Sequence, residues 1–440
     1  MIQKNLIKKR MKTISKKIIL AVFFNSVLMI NVSAEIVGYE GGHLKYQFLV
    51  NTLSDDSLFL DYVDTPMIDN NADLRLKFNW NKNGVALLAD YQFIVLSGDS
   101  IVLAENLPAA IIIPPAITSD DNRLFDLTHV ISDGSEHVIA HRLDRLYVEY
   151  TDTKWVARFG RQAISWGNGL VYTPMDFINP FDPSAIDKEY KSGDDMLYSQ
   201  YLQQSGNDVQ LVWVLRRDDE GDVTNSVDSI AAKYHGFIGN NEYDLLVSQH
   251  YNDSIIGVGG ITDIGGAIWR GDYTLTHTRS ENSFIETEEK NISSVVTSLT
   301  YSWVSWGHNM SGTLEYFYNG FGQSNGDYSP SALAENPELV ERVQRGELFT
   351  LGRNYLVAST VVEVNPLWLL TPNVFINLND ESFLAQLVST YDLKENWQLL
   401  AAISVPVGEA GTEYGGIDSG VAGKQLGTEL NFFAQLAWYF

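Results

Sequence analysis

The residue pattern predicts an all-β chain: a transmembrane up-and-down antiparallel β-barrel of about 18 strands (16–18). Three observations predict it. Runs of about ten residues with apolar side chains at every second position recur in pairs along the chain. The connections between these runs are alternately short and long, so all the long ones fall on one side. The last residues, Leu430 to Phe440, form an alternating apolar strand with no polar tail after it.

The chain opens on Lys4, Lys8, Lys9, Arg10, Lys12, Lys16 and Lys17, with no acidic residue before Glu35. An apolar run from Ile18 to Ile30 follows, then Val32-Ser33-Ala34. This order is that of a signal peptide, 1–34, cleaved after Ala34, and the apolar run is too short to span a bilayer. The expected domain is then the barrel, 35–440. Seven of the 30 basic residues precede Glu35, which leaves 23 against 55 acidic residues, a formal net charge of −32. That balance argues against nucleic acid as a partner. There is no cysteine, hence no disulfide framework, lipid-anchored Cys or haem-attachment motif.

The first strand is expected over Leu44 to Asn51. Ala72 to Trp80 and Val85 to Leu96 then flank Asn81-Lys82-Asn83-Gly84, two alternating runs on a tight turn. Further pairs follow the same plan: Ile139 to Tyr150 with Lys154 to Ile164, Met196 to Gln203 with Asp208 to Arg216, and Ser229 to Ile238 with Asn241 to Tyr251. Then come Ser254 to Thr262 with Gly266 to Thr276, and Ser293 to Ser305 with Asn309 to Asn319. Leu351 to Val364 pairs with Leu367 to Asn377, and Phe383 to Tyr391 with Trp397 to Val405, before the terminal strand. With the N-terminus on one side of the membrane, every even-numbered connection is about five residues or fewer, and the long ones are all odd-numbered. A water-soluble sandwich has no reason to sort its loops in this way. The short connections at Asn252 and Leu378 are where a miscount is expected.

Along these strands charge gathers on one face. Arg145, Tyr147 and Glu149 oppose Leu146, Val148 and Tyr150; Lys154, Arg158 and Gln162 oppose Trp155, Ala157 and Phe159. Such a face is costly in lipid and harmless in a water-filled lumen. Trp80, Trp155, Tyr251, Trp397 and Trp438 are expected in interfacial girdles.

In the terminal strand, Phe440, Trp438, Leu436, Ala434, Phe432 and Leu430 share a face. It resembles the last strand of Gram-negative outer-membrane β-barrels. The resemblance implies that it closes the barrel and that Phe440 and Trp438 are read by the barrel-assembly machinery; with a periplasmic N-terminus, the even strand count puts both termini on the periplasmic side. The stretch from the end of the fifth run, GRQAISWGNGLVYTPMDFINPFDPSAIDKEYKSGDD from Gly160 to Asp195, holds the third long loop. Its pattern G-R-Q-x-x-x-W-G-x-G, then P-x-D-x-x-N-P and an acidic end, resembles porin-like outer-membrane proteins, which are distantly similar to alginate-export barrels. That implies a passive diffusion or export channel for a small hydrophilic solute, with the loop folded inward. Alginate exporters line their lumen with positive charge, and 23 basic residues fit that substrate poorly.

The candidate constriction residues are Trp166, Asp176, Asn179, Asp182, Asp187, Glu189, Asp194 and Asp195 of the loop, facing Arg145, Arg158 and Arg161 of the wall. The expected device is a transverse field between acids and arginines; the bland alternative is a packed structural loop with its charges paired. A Ca²⁺ site at Asp182, Asp187 and Glu189, extended by Asp194 and Asp195, is a further reading from hard oxygen ligands, although the spacing matches no EF-hand. No resident cofactor is expected. The chain has no G-x-S-x-G, H-E-x-x-H or P-loop. His141 and Asp144 lie three apart on a strand, on opposite faces, so they make no dyad, and an enzyme is not expected. The other class of function is a non-conducting barrel acting as a receptor, adhesin or assembly scaffold. The apolar Pro108 to Pro115 is expected to pack in the barrel mouth or meet a partner. Expected surroundings are outer-membrane lipid and lipopolysaccharide, with acidic loops sharing divalent cations with the latter.

Overall fold

The computed structural model describes residues 38–107, 117, 119–279 and 290–440. The expected signal peptide, 1–34, and the stretch Pro108–Pro115 lie outside the described residues. Residues Glu40–Phe440 form one compact unit. No described helix is long and apolar enough to cross a membrane.

The strands in chain order are β1 (Tyr39–Thr52), β2 (Met67–Lys82), β3 (Val85–Gly98), β4 (Thr128–Gly134), β5 (His137–Thr151), β6 (Trp155–Gln162) and β7 (Asp194–Leu202). They continue with β8 (Asp208–Val214), β9 (Ser229–Ile238), β10 (Asn241–His250), β11 (Asp253–Ile264), β12 (Ala267–Thr278), β13 (Lys290–Ser305) and β14 (His308–Tyr318). The rest are β15 (Asn354–Asn365), β16 (Trp368–Asn377), β17 (Phe383–Lys394), β18 (Trp397–Val407), β19 (Ile417–Asp418), β20 (Gln425–Leu426) and β21 (Leu430–Tyr439). All but β4, β19 and β20 form a closed antiparallel ring in chain order, with β21 pairing both β18 and β1. This is the 18-strand up-and-down barrel that the alternation predicts. The connections at Asn252 and Leu378 are genuine short turns, so the count stands.

Tight turns set the hairpins on the short-turn end. Asn83-Gly84 (φ 55° and 81°), Gly265-Gly266 (63° and 87°) and Trp306-Gly307 (51° and 80°) each place two successive residues at positive φ. That backbone twist matches the twist of the flanking strands. The opposite end carries the long loops, which hold structure the alternation does not show. The second loop contains helix α1 (Asp99–Asn106) and β4, and the seventh contains α2 (Pro330–Ala334) and α3 (Pro337–Gln344). β4 pairs with the upper half of β5, whose lower half pairs with β6. It thus extends the wall above the point where β6 stops.

One face of the wall is apolar and open: Val148, Phe159, Leu197, Leu245, Ile256, Leu314 and Ile403 are all more than two-fifths exposed. In a closed barrel this is the lipid face. Aromatic pairs gather towards the turn end: Trp80 stacks on Phe78, Tyr301 on Trp303, Trp397 on Trp438, and Trp155 meets Tyr201. Tyr251 departs from the expected girdle. It follows β10 at the loop end, between the guanidinium groups of Arg216 (4.9 Å) and Arg345 (4.0 Å).

Candidate functional site

The third loop, residues 163–193, lies against the other face of the wall, and its partners come in ring order. Trp166 Nε1 donates to Gln210 of β8 (2.7 Å). The Asn168 side chain reaches Asp244 of β10 (3.1 Å) and Asp272 of β12 (2.7 Å). The backbone N–H groups of Asn168 and Gly169 donate to Asp272 Oδ2 (2.6 and 3.3 Å). Those of Leu170, Val171 and Tyr172 donate to the carboxylate of Glu315 on β14 (2.8, 3.1 and 2.7 Å). The Tyr172 ring stacks on Phe317, centroids 4.6 Å apart.

The return half continues the circuit. Gln386 of β17 donates to the Ser184 carbonyl (3.1 Å). Ile186 packs on Leu400 of β18 and Phe433 of β21. Lys45 of β1 lies between Asp187 (2.6 Å) and Glu189 (2.7 Å), and Tyr439 of β21 donates to Glu189 (2.9 Å). Tyr190 lies 3.9 Å from the Arg75 guanidinium of β2. Arg145 of β5 donates to the Lys191 carbonyl. The loop therefore makes one turn around the lumen.

The local sequence explains the docking. Gly167 has φ 97°, and a Cβ on Gly169 would stand 1.9 Å from the Tyr172 carbonyl oxygen. Only glycine lets this backbone fold so tightly that five consecutive N–H groups face two wall carboxylates. Asp244, Asp272 and Glu315 are buried, at 2, 3 and 0% exposure, so without these donors their charge would be costly.

On the far side, β5 carries a bulge: Asp90 faces Arg145 while Tyr91 faces Leu143, leaving Asp144 unpaired. The extra residue brings Arg142, Asp144 and Arg145 to the same face. Asp144 then bonds Arg75 (2.6 Å), Arg145 (2.9 Å) and Arg142 (3.2 Å). In the ring of 18, β2 and β12 are nine strands apart, as are β5 and β14. The basic residues of β1, β2 and β5 thus stand opposite the acids of β10, β12 and β14.

The expected site residues separate into groups. Arg145, Trp166, Asp176, Asp187 and Glu189 lie at the loop–wall contact. Asp176 is paired within the loop to Lys191 (2.5 Å), and burial raises its carboxyl to about 6 against the pull of that ammonium. Burial also acts on Asp187 and Glu189, but Lys45 wins and holds both below the usual carboxylate range. Asp182 caps a turn, accepting from the Ser184 backbone and hydroxyl (both 2.8 Å). Arg158 pairs with Glu149 on the neighbouring strand (2.5 Å) and meets Tyr147 and Tyr198 rather than the loop.

Arg161 and Asp195 correct the expectation. They face each other in the β6–β7 ladder, on the side of Phe159 and Leu197, which is the outward one. Segment 120–127 of the second loop covers them there. Asp120 accepts from Arg161 (2.7 Å) and Arg123 (2.8 Å), and the Phe125 N–H donates to Asp195 (2.8 Å). Burial would raise Asp120, yet the two guanidinium groups pull it down to about 2. Asp194 completes the clamp with Arg216 (2.8 Å), Arg123 (3.7 Å) and Asn179, whose own φ is 57°. These residues pin the second loop and the third-loop exit to the rim.

The Ca²⁺ reading is corrected too. The Lys45 ammonium occupies the place between Asp187 and Glu189 where a cation would sit, and Asp182 is committed to Ser184. Among the described residues no group of three or more metal-ligating side chains could hold an ion. The wall acids Asp272 and Glu315, and the basic Lys45, Arg75 and Arg142, are not among the expected residues. Alternation places each on the charged face of its strand, but nothing local says that a loop binds there.

No protein-family model matches the sequence, and neither does any curated protein. Solved structures do match in fold. OccK5 (OpdH) of Pseudomonas aeruginosa shares 8% identity at a TM-score of 0.51, covering 91% of this chain and 97% of that one. A BenF-like porin from Pseudomonas fluorescens Pf-5 shares 8% at 0.50, covering 92% and 99%. OccAB4 of Acinetobacter baumannii shares 7% at 0.50, covering 93% and 100%. At this identity the likeness is one of fold.

Proposed function

We propose that this chain is an outer-membrane channel of Gram-negative bacteria through which small hydrophilic solutes diffuse, narrowed by the third loop. The observation that carries the reading is the circuit of that loop around the inner wall, between a basic and an acidic side nine strands apart. A loop that follows the wall narrows a lumen of this strand number without filling it. Facing charges of opposite sign set a transverse field across the gap, which orients polar solutes and disfavours apolar ones. One of the fold neighbours is a BenF-like porin.

In this reading residues 1–34 are a secretion signal, both termini are periplasmic, and the Trp438–Phe440 end is read by the barrel-assembly machinery. The acidic loops would share divalent cations with lipopolysaccharide. Single-channel recording of the refolded 35–440 chain in a planar bilayer tests the proposal, beside a variant lacking 167–191. Steady conductance that rises in the deletion supports it. Silence in both would favour a closed barrel acting as a surface receptor or scaffold.

A further inference from the structure

The second loop brings two histidines together on the outward side of the wall. On β5 the bulge at Asp144 inverts the alternation. Below it the even positions Leu146 and Val148 face outward; above it the odd positions Leu143 and His141 do, opposite Tyr91 and Phe93 of β3. Without the extra residue His141 would point into the lumen. β4 lies on the other side of β5, and its His129 is the direct partner of His141. Side chains directly opposite in an antiparallel ladder share a face.

The two imidazoles meet with ring centroids 5.4 Å apart, at 72° to each other. Tyr91 packs on His141 from the β3 side, centroids 5.8 Å apart. His129 is exposed and His141 half-buried. Neither ring donates to or accepts from any described residue. A neutral imidazole keeps one lone-pair nitrogen, the donor that a transition-metal ion takes. Two imidazoles on one tetrahedral ion, with metal–N bonds of about 2.1 Å and ring centres about 1.2 Å behind the nitrogens, have their centres about 5.3 Å apart. The observed spacing is that one. Apolar packing alone needs no imidazole here, since the neighbouring positions of this face hold Tyr91, Phe93 and Leu143. Mg²⁺ and Ca²⁺ take oxygen ligands, which the pair does not offer.

We propose that His129 and His141 bind a divalent transition-metal ion of the Zn²⁺, Cu²⁺ and Ni²⁺ class, through one ring nitrogen each, with water completing the coordination. Such an ion clips β4 to β5. It thereby fastens the second loop, whose segment 120–127 covers Arg161 and Asp195. The site does not depend on whether the barrel conducts.

The test is titration calorimetry of the refolded, untagged 35–440 barrel in detergent, with ZnCl₂ as the probe and excess Mg²⁺ present to occupy the acidic loops. His129→Gln and His141→Gln each remove one ligand. His137→Gln is the control: it lies on the same face of β5, one turn of the ladder away at Gly134. Heat-dependent gel mobility must show each variant folded. Saturable binding that falls tenfold or more in each ligand variant and is unchanged in His137→Gln supports the site, as does slower proteolysis of the second loop when Zn²⁺ is added. No saturable binding to the unaltered barrel overturns the proposal. So does a ligand variant that binds as tightly as the unaltered barrel, or an equal loss in His137→Gln. A conducting barrel that fails here sinks only this site, and a silent barrel that binds sinks only the channel.

Discussion

Glu315 shows how one side chain can hold a loop. It accepts from three consecutive N–H groups while fully buried, so removing its carboxylate strands three donors and opens a gap. Each donor left without a partner costs about 1–3 kcal/mol. We expect Glu315→Ala to lower the thermal unfolding midpoint and, in bilayer recordings, to raise conductance by freeing residues 168–172 from the wall. Gly169→Ala should give the same pair of effects with the carboxylate intact, because the added methyl cannot coexist with the Tyr172 carbonyl. If either variant leaves both readouts unchanged, the docking described here does not hold the loop.

At the scale of elements, the loop is held differently on its two arms. The outgoing arm is held by backbone donors on wall acids, the returning arm by wall side chains, among them Lys45 between two loop acids. Lys45 is 3% exposed, and removing its ammonium leaves two carboxylates, 21 and 33% exposed, without a cation, a loss that partial solvation keeps below that of a fully buried pair. Lys45→Met should therefore loosen residues 182–191 selectively, seen as faster proteolysis there while the outgoing arm stays protected.

The ninth loop, residues 408–429, has a comparable tie with no cation in it. Glu413 accepts from Tyr355 (2.5 Å), Asn377 (2.7 Å) and the Leu351 N–H (2.9 Å), and burial, with nearby Asp380 adding to it, raises its carboxyl from 4.5 to about 7. A carboxyl raised on folding stabilises fully below its unfolded value and loses that contribution as pH rises through the folded one. The unfolding midpoint should fall between pH 4.5 and 7 by this group's share. Glu413→Gln should flatten that part of the profile and stabilise the barrel at pH 8; an unchanged profile would refute the assignment.

For the whole molecule, closure and charge placement are the two decisive features. The last strand pairs on both sides, and Phe440 exchanges backbone bonds with Gly42 (2.7 and 3.1 Å). A barrel has no free edge only when this seam is made. The basic side at Arg75, Arg142 and Arg145 faces the acids across the ring. Arg142→Gln with Arg145→Gln should shift the reversal potential in a salt gradient towards cation selectivity. No shift would mean that solutes do not pass this face.

Much of this was legible in the chain. Strict period 2 assigns each residue a face, so the lumen side of Arg145 and the lipid side of Phe159 follow directly, and loop sorting gives the strand count. Where the period breaks, the reading breaks with it. The bulge at Asp144 is invisible locally because it is defined by the partner strand. Arg161 keeps the outward parity of Phe159, yet it is 1% exposed because a segment about forty residues earlier folds over it. A buried charge on the lipid side is permitted only by that cover.

The sequence by itself determined the strands, their faces, the hairpin turns and the side on which the loops lie, because these depend on neighbours one to four residues away. Only the tertiary structure decided what the charges do. Which acid meets which arginine, and that the third loop is held by wall carboxylates through its backbone, both depend on ring closure. Closure brings residues more than a hundred positions apart within hydrogen-bond reach, and no local pattern encodes that distance.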